Sequence, residues 1–392
     1  MPKIETESQP IKTPSGLGGL IRNLHVWLAL IATIPWALQG LTGAILVFEP
    51  ELDHWLNRGM MDVEPTSEAD RLDLDEQFAV VKQQHPELAP YVYGIDASDR
   101  PGIATRMLAK PEGEVGPEDG VRLFIDPYRG KVTGTQGYRD STMGKLYHFH
   151  RTFYLPRWGR WITSTSALLL MAGALTGVIL YFLRRKPTDT YRKWHTRLGM
   201  AFAPLVFLIA LNGMIVTYRF VVFPLLYVAT GDEIPQGMIR PPKIEVPDGV
   251  ERIGLEESIR IAEEAVPNAK STVILQPLRE DSLRTVMRKK PNEPRDVGGT
   301  FVAINPYNGE VLDITCFTEG PVGGQLVYAT EHLHKGEWGG YFGEQYMIYT
   351  RILWVFAAMS IPVLAVLGWG SYFRNRRRRR KEAPDESLGA TA

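Results

Sequence analysis

The chain has 392 residues, 44% of them hydrophobic, with 44 basic side chains against 44 acidic ones and a single cysteine, Cys316. Zero net charge offers no pull toward nucleic acid, and one cysteine excludes an intrachain disulfide framework, a four-cysteine iron–sulfur cluster and a CxxCH haem attachment. The apolar residues are clumped into four nearly uncharged stretches of about 20 residues, which excludes a simple soluble enzyme; because they fill under a quarter of the chain, a mostly buried transporter is excluded too.

Residues 1–19 are polar or rich in Gly and Pro and are expected to be mobile. The first span, 20–48, is too long for a cleavable signal and reads as an uncleaved anchor. Residues 49–147 follow as an external segment, with an amphipathic helix expected over 74–85 and a strand over 121–125. Residues 148–183 are a membrane-face segment leading into the second span, which starts near Trp161. A short link, 184–197, carries Arg184, Arg185, Lys186, Arg192 and Lys193. The third span is 198–219. The second external segment, 220–333, has a helix expected over 254–266 and a strand over 300–304. A face segment and the fourth span occupy 334–373, and the basic tail 374–392 closes the chain. Both basic clusters flank spans on one side, and the positive-inside rule places that side, with both termini, in the cytoplasm. In a bacterium the two long segments are then periplasmic and the protein is a multi-pass inner-membrane protein.

The two halves repeat. His25 is followed eighteen residues later by Gly43, and His195 by Gly213, within Leu41-Thr42-Gly43 and Leu211-Asn212-Gly213. Ile125-Asp126-Pro127-Tyr128-Arg129-Gly130-Lys131-Val132 parallels Ile304-Asn305-Pro306-Tyr307-Asn308-Gly309-Glu310-Val311. Each reads as strand, tight turn, strand, with Pro presetting φ and Gly ending the turn. The expected fold is therefore a two-fold internal repeat: α-helical with four transmembrane helices, plus two periplasmic α+β domains.

A helix followed by a hydrophobic-(Asp/Asn)-Pro-x-x-Gly-x-Val turn resembles the PepSY domain. Leu-His-x-Trp-Leu and Leu-Thr-Gly in the first span, His-Arg-x-Phe before the second and Leu-His-x-Gly-x-x-Gly-Gly before the fourth resemble the PepSY-associated transmembrane family, over roughly residues 20 to 375. That resemblance implies an iron-regulated inner-membrane protein similar to haem-containing reductases of ferric siderophores. It implies an oxidoreductase with a ferric siderophore as its periplasmic substrate. No catalytic residue is assigned.

Six of the eight histidines lie at or near span ends, where an ionisable group tends to be paired or functional. His25 and His195 mark the cytoplasmic side; His148, His150, His332 and His334 mark the outer one. A b-type haem needs two imidazoles and no cysteine. One candidate pair at each face suggests two haems b, because a 25-residue helix is about 37 Å long and one haem would not bridge it. Within each His-x-His, side chains two apart on a helix diverge by about 200°. The family-like text selects His150 and His334 and leaves His148 and His332 in reserve. The glycines after His334 argue against a continuous helix into the fourth span, so His334 is expected on a loop folding back over the membrane face, or else the outer haem sits high. Arg151 and Arg22 are candidate propionate partners. Gly173 and Gly177 favour close helix approach or leave room for a macrocycle. Trp27, Trp161, Trp194 and Trp354 read as belt anchors or porphyrin neighbours. His54 is expected at the interface and His85 on the surface.

No nicotinamide or flavin motif is present, so electrons would come from a separate cytoplasmic reductase or a membrane quinol. Two alternatives stay open: a haem-free PepSY binding or sensor protein, and a haem conduit to another periplasmic acceptor. The expected partners are the lipid bilayer, the siderophore and the electron donor, with no nucleic acid.

Overall fold

The computed structural model describes residues 16–66, 71–97, 100–111, 120–155, 157–183, 189–235, 242–291 and 293–382, with backbone only for 379–382. Arg184, Arg185, Lys186 and Pro156, to which the sequence assigns topology and helix-breaking roles, lie outside the described residues, as do 1–15 and 383–392.

Among the described residues four helices are long and apolar enough to cross a bilayer: α1 (Leu17–Leu46), α6 (Gly159–Leu183), α7 (Thr190–Thr217) and α11 (Glu344–Glu382). They extend beyond the apolar stretches. Residues 17–19, expected to be mobile, already belong to α1, the supposed link enters α7 at Thr190, and the basic tail continues α11 to Glu382. Hydropathy marks only the part of a helix that suits lipid, whereas intrahelical hydrogen bonds continue into water. His195, assigned by the sequence to the link before the third span, therefore sits inside a helix, as His25 does.

Between these run α2 (Glu49–Leu56), α3 (Arg58–Met61), α4 (Leu74–Gln84), α5 (Thr142–Thr152), α8 (Arg219–Thr230), α9 (Leu255–Ala265) and α10 (Val322–Lys335). The strands are β1 (Val92–Asp96), β2 (Thr105–Ala109), β3 (Val121–Asp126), β4 (Lys131–Gly137), β5 (Lys270–Leu275), β6 (Arg284–Lys289), β7 (Thr300–Ile304) and β8 (Val311–Cys316).

The chain divides into two units: Met1–Leu41, Trp161–Leu211 and Phe356–Ala392 in one, Thr42–Arg160 and Asn212–Val355 in the other. The first is helical. Its core gathers Leu28, Ala32, Trp36, Val206 and Ile361, and the Trp36 indole N–H donates to the Ser166 carbonyl at 2.8 Å. The second holds one eight-stranded antiparallel sheet, order β4-β3-β2-β1-β5-β6-β7-β8. The two external segments that the sequence treats as separate domains each supply a four-stranded meander, and β1 pairs with β5 through Ile95 opposite Ile274. Both meanders share one core, with Val81, Ile95, Leu123, Ala262, Ile274 and Ile304 fully buried.

Turn chemistry explains the hairpins. The Asp126 carboxylate accepts from the Tyr128 and Arg129 amides, the Asn305 side chain accepts from the Tyr307 amide, and Gly130 and Gly309 take φ of +60° and +75°. The two sheet helices cap each other. Asp73 and Glu76 form a capping box on α4. Asp75, in the same turn, accepts from the Leu255 and Glu256 amides of α9 at 2.7 and 3.1 Å, and Glu256 accepts from the Leu74 amide at 2.9 Å. Asp75→Ala removes both acceptors from the start of α9 and is expected to cost about 1–2 kcal/mol. A lower urea midpoint in detergent, largely restored by Asn, is the expected observation; an unchanged midpoint would refute the role of the cap.

Candidate functional site

Four imidazoles meet in two pairs, one pair in each unit. In the helical unit the ring centroids of His25 (α1) and His195 (α7) are 6.1 Å apart, with planes at 81°. In the sheet-bearing unit those of His150 (α5) and His334 (α10) are 6.3 Å apart, at 46°.

Three of the rings are held from behind. His25 Nδ1 lies 3.1 Å from the Gly173 carbonyl and 3.0 Å from the Thr176 hydroxyl; His195 Nδ1 lies 3.0 Å from the Leu364 carbonyl; His150 Nδ1 lies 2.8 Å from the Thr42 hydroxyl. Donation from Nδ1–H to a carbonyl leaves the lone pair on Nε2, the tautomer that a metal-binding histidine uses. Each ring also rests against a glycine of a neighbouring helix. A Cβ there would stand 3.3 Å from His25 Cε1 at Gly177, 3.4 Å from His195 Cε1 at Gly368, 3.2 Å from His150 Cε1 at Gly43 and 2.8 Å from His334 Cε1 at Gly213. The Gly173/Gly177 pair thus receives the side chains of Trp36 and His25. Gly213→Val is expected to push the His334 ring out of line while leaving the His25–His195 pair intact. Separate spectroscopic titration of the two pairs with a haem analogue would check this, and equal loss at both would contradict it.

His334 lies on the last turn of α10, not on a loop, which corrects the sequence expectation. Gly336, at φ +78°, ends the helix, a 3₁₀ segment covers Glu337–Phe342, and α11 starts afresh at Glu344. The glycines interrupt the chain after the histidine while the histidine itself remains helical.

The other rings of each His-x-His turn elsewhere. His148 packs on Tyr154 at 5.2 Å. His332 is fully buried, 4.4 Å from the Tyr328 ring, with Nδ1 3.3 Å from the Glu337 carboxylate. Arg151 follows His150 on the last turn of α5. The Arg22 guanidinium donates to the neighbouring Asn23 side chain. His54 pairs with Asp62 and His85 with Glu87. Trp27, Trp161 and Trp194 are exposed, as a belt requires, but Trp354 is buried against Gly336 and Trp338, because the break at Gly336 folds the 3₁₀ turn over it.

Around α10 the charges are matched. Burial opposes ionisation of Glu331, but Lys335 and Arg295 beside it carry its pKa down to about 2. Burial, with Glu293 nearby, pushes the Tyr341 phenol up to about 12.

Thr176, Leu364 and Gly368 have no counterpart in the sequence reading. Among the described residues no three His, Cys, Asp or Glu side chains converge. Two neighbouring imidazoles with no third protein donor among the described residues suit a metal that brings its other donors with it, as a macrocycle does.

A comparison with curated proteins finds no match. Residues 22–375 match the family described as the PepSY-associated TM region. With four candidate spans and nearly the whole chain inside that match, this is a multi-pass membrane protein, and it belongs to the PepSY-associated TM family.

Proposed function

We propose that this chain is a di-haem b oxidoreductase of the bacterial inner membrane that carries electrons to the periplasm and reduces ferric siderophore, releasing Fe(II) for uptake. The observation that carries this reading is the spacing of the two imidazole pairs. A metal–imidazole bond is about 2 Å, so two imidazoles sharing one metal between them would have ring centroids about 6 Å apart. The pairs stand at 6.1 and 6.3 Å. The glycine behind each ring and the oxygens at Nδ1 fit the same role.

His25 and His195 would hold the cytoplasmic-side haem, His150 and His334 the periplasmic one, with Arg22 and Arg151 as propionate partners. Haem supplies a one-electron Fe(III)/Fe(II) couple whose potential the protein tunes. The hydrogen bonds at His25, His150 and His195 and the glycines behind the rings would fix the imidazoles and limit rearrangement on electron transfer. The Nδ1 hydrogen bonds raise imidazole basicity and favour the oxidised state. With two protein imidazoles offered to each metal, such a site would serve electron transfer rather than bind a further ligand. The substrate class rests on the family resemblance. Fe(II) is softer and less charged than Fe(III), and hard oxygen chelators bind it less tightly. The donor is a separate cytoplasmic reductase or the quinol pool. The mirrored order of the sheet and the paired sequence blocks support a two-fold repeat, and the positive-inside rule would place both meanders in the periplasm.

The test is a dithionite-reduced minus oxidised spectrum of detergent-purified protein, with pyridine haemochrome per chain. About two haems b, reoxidised anaerobically by a ferric hydroxamate chelate with Fe(II) trapped, is the expected result. Two haems without reoxidation would point to another acceptor. No haem after expression with haem supplied would overturn the reading in favour of a PepSY binding or sensor role.

A further inference from the structure

The short helix α8 follows the candidate span α7 after one residue, Tyr218. Its twelve residues make a rod about 18 Å long, too short to cross a bilayer. Phe220, Val221, Leu225 and Val228 are exposed, Phe220 to 79%. At 100° per residue they fall within an arc of about 140°, one continuous apolar face.

The flank next to Phe220 is locked to α10. Tyr227 is buried against two glycines: a Cβ at Gly323 would stand 2.7 Å from Tyr227 Cα, and one at Gly324 2.9 Å from its hydroxyl. Gly231, at φ +77°, ends α8. The Asp232 carboxylate then accepts from the Gly323 amide and the Thr230 hydroxyl, both at 2.7 Å, which caps the first turn of α10. The corresponding helix after α1, α2, has no such face: it carries Glu49, Glu51 and Asp53 within eight residues.

We propose that α8 is an interfacial helix, seated with Phe220, Val221, Leu225 and Val228 in the headgroup–acyl boundary of the lipid bilayer. Lipid is the occupant because the candidate span α7 ends at Thr217 and α8 starts two residues later, which puts the first turn of α8, with Phe220 and Val221, at the membrane surface. An apolar face of this width, on a helix too short to span, lies in that boundary. Arg219 opens the helix with its guanidinium 5.0 Å from the Phe220 ring centroid, as a cation reaching toward headgroups would. The helix clamped from this side, α10, is the one that carries His334.

Cys316 is the only cysteine, so a Cys316→Ser background allows single-site labelling of the full chain. Nitroxides at Phe220→Cys and Leu225→Cys, in nanodiscs of phosphatidylethanolamine and phosphatidylglycerol, are compared with one at the exposed Glu264→Cys. The expected result is collision with oxygen exceeding that with a water-soluble nickel chelate severalfold at 220 and 225, and the reverse at 264. Nickel access at 220 and 225 equal to that at 264 would overturn the proposal. So would shielding from both reagents together with a dimeric mass, which would put a second copy of this chain on the face. The measurement needs no haem, so its failure and that of the electron-transfer reading are separable.

Discussion

On the di-haem proposal, alanine at His334 is expected to leave a protein that holds one haem b rather than two, and alanine at His25 to remove the other. Each ring is half of a pair at 6.1 or 6.3 Å, so truncation takes away one of only two protein donors at its metal. Disturbing a group that merely orients a metal ligand costs about 10–100-fold in affinity, and losing the ligand itself should exceed that. Pyridine haemochrome of each variant measures it directly. In proteoliposomes with reductant inside and ferric chelate outside, both variants should lose transfer by at least tenfold, since either haem is an obligatory step. His148→Ala and His332→Ala, whose rings pack on Tyr154 and Tyr328, should retain two haems. Two haems with unchanged spectra in His334→Ala would refute the assignment of the His150–His334 pair.

Asp53→Ala should produce the largest loss of stability. Asp53 on α2 and Arg122 on β3 are both buried and meet through two nitrogens, at 2.6 and 3.3 Å. Asn57 donates to Asp53 at 2.9 Å, Gln136 donates to Asn57 at 3.0 Å, and Arg122 also donates to Gln136. Removing the carboxylate strands a guanidinium in the interior, at a cost of about 3–5 kcal/mol. Replacing both partners, as Asp53→Leu with Arg122→Met, should recover most of that, because the penalty belongs to the unpaired charge. Urea denaturation in detergent, with hydrogen exchange at β3 and β4, checks both variants. A double variant no more stable than Asp53→Ala would show that the cost lies in packing instead.

Legibility from sequence followed the range of the interaction. The strand over 300–304 and the Asp-Pro and Asn-Pro turns were readable because a turn is made by four adjacent residues. Span ends were read too short, since apolar content stops before the helix does. The single sheet was not readable: β1 meets β5 across more than 170 residues, and alternation within a strand does not name its neighbour. Trp354 was placed at an interface because it starts an apolar run, yet the 3₁₀ turn after Gly336 covers it.

By itself the sequence determined that four helices can cross a bilayer, that two α+β segments separate them, and that histidines collect at span ends. Those properties follow from hydropathy, turn chemistry and residue type, which are local. Only the tertiary structure decided that His25 faces His195 and His150 faces His334, that glycines at 43, 177, 213 and 368 stand behind the rings, and that two meanders join into one sheet. Helix rotation and strand neighbours are set by packing among distant segments, where a missing Cβ or one buried ion pair selects the arrangement, and no periodicity along the chain encodes that choice.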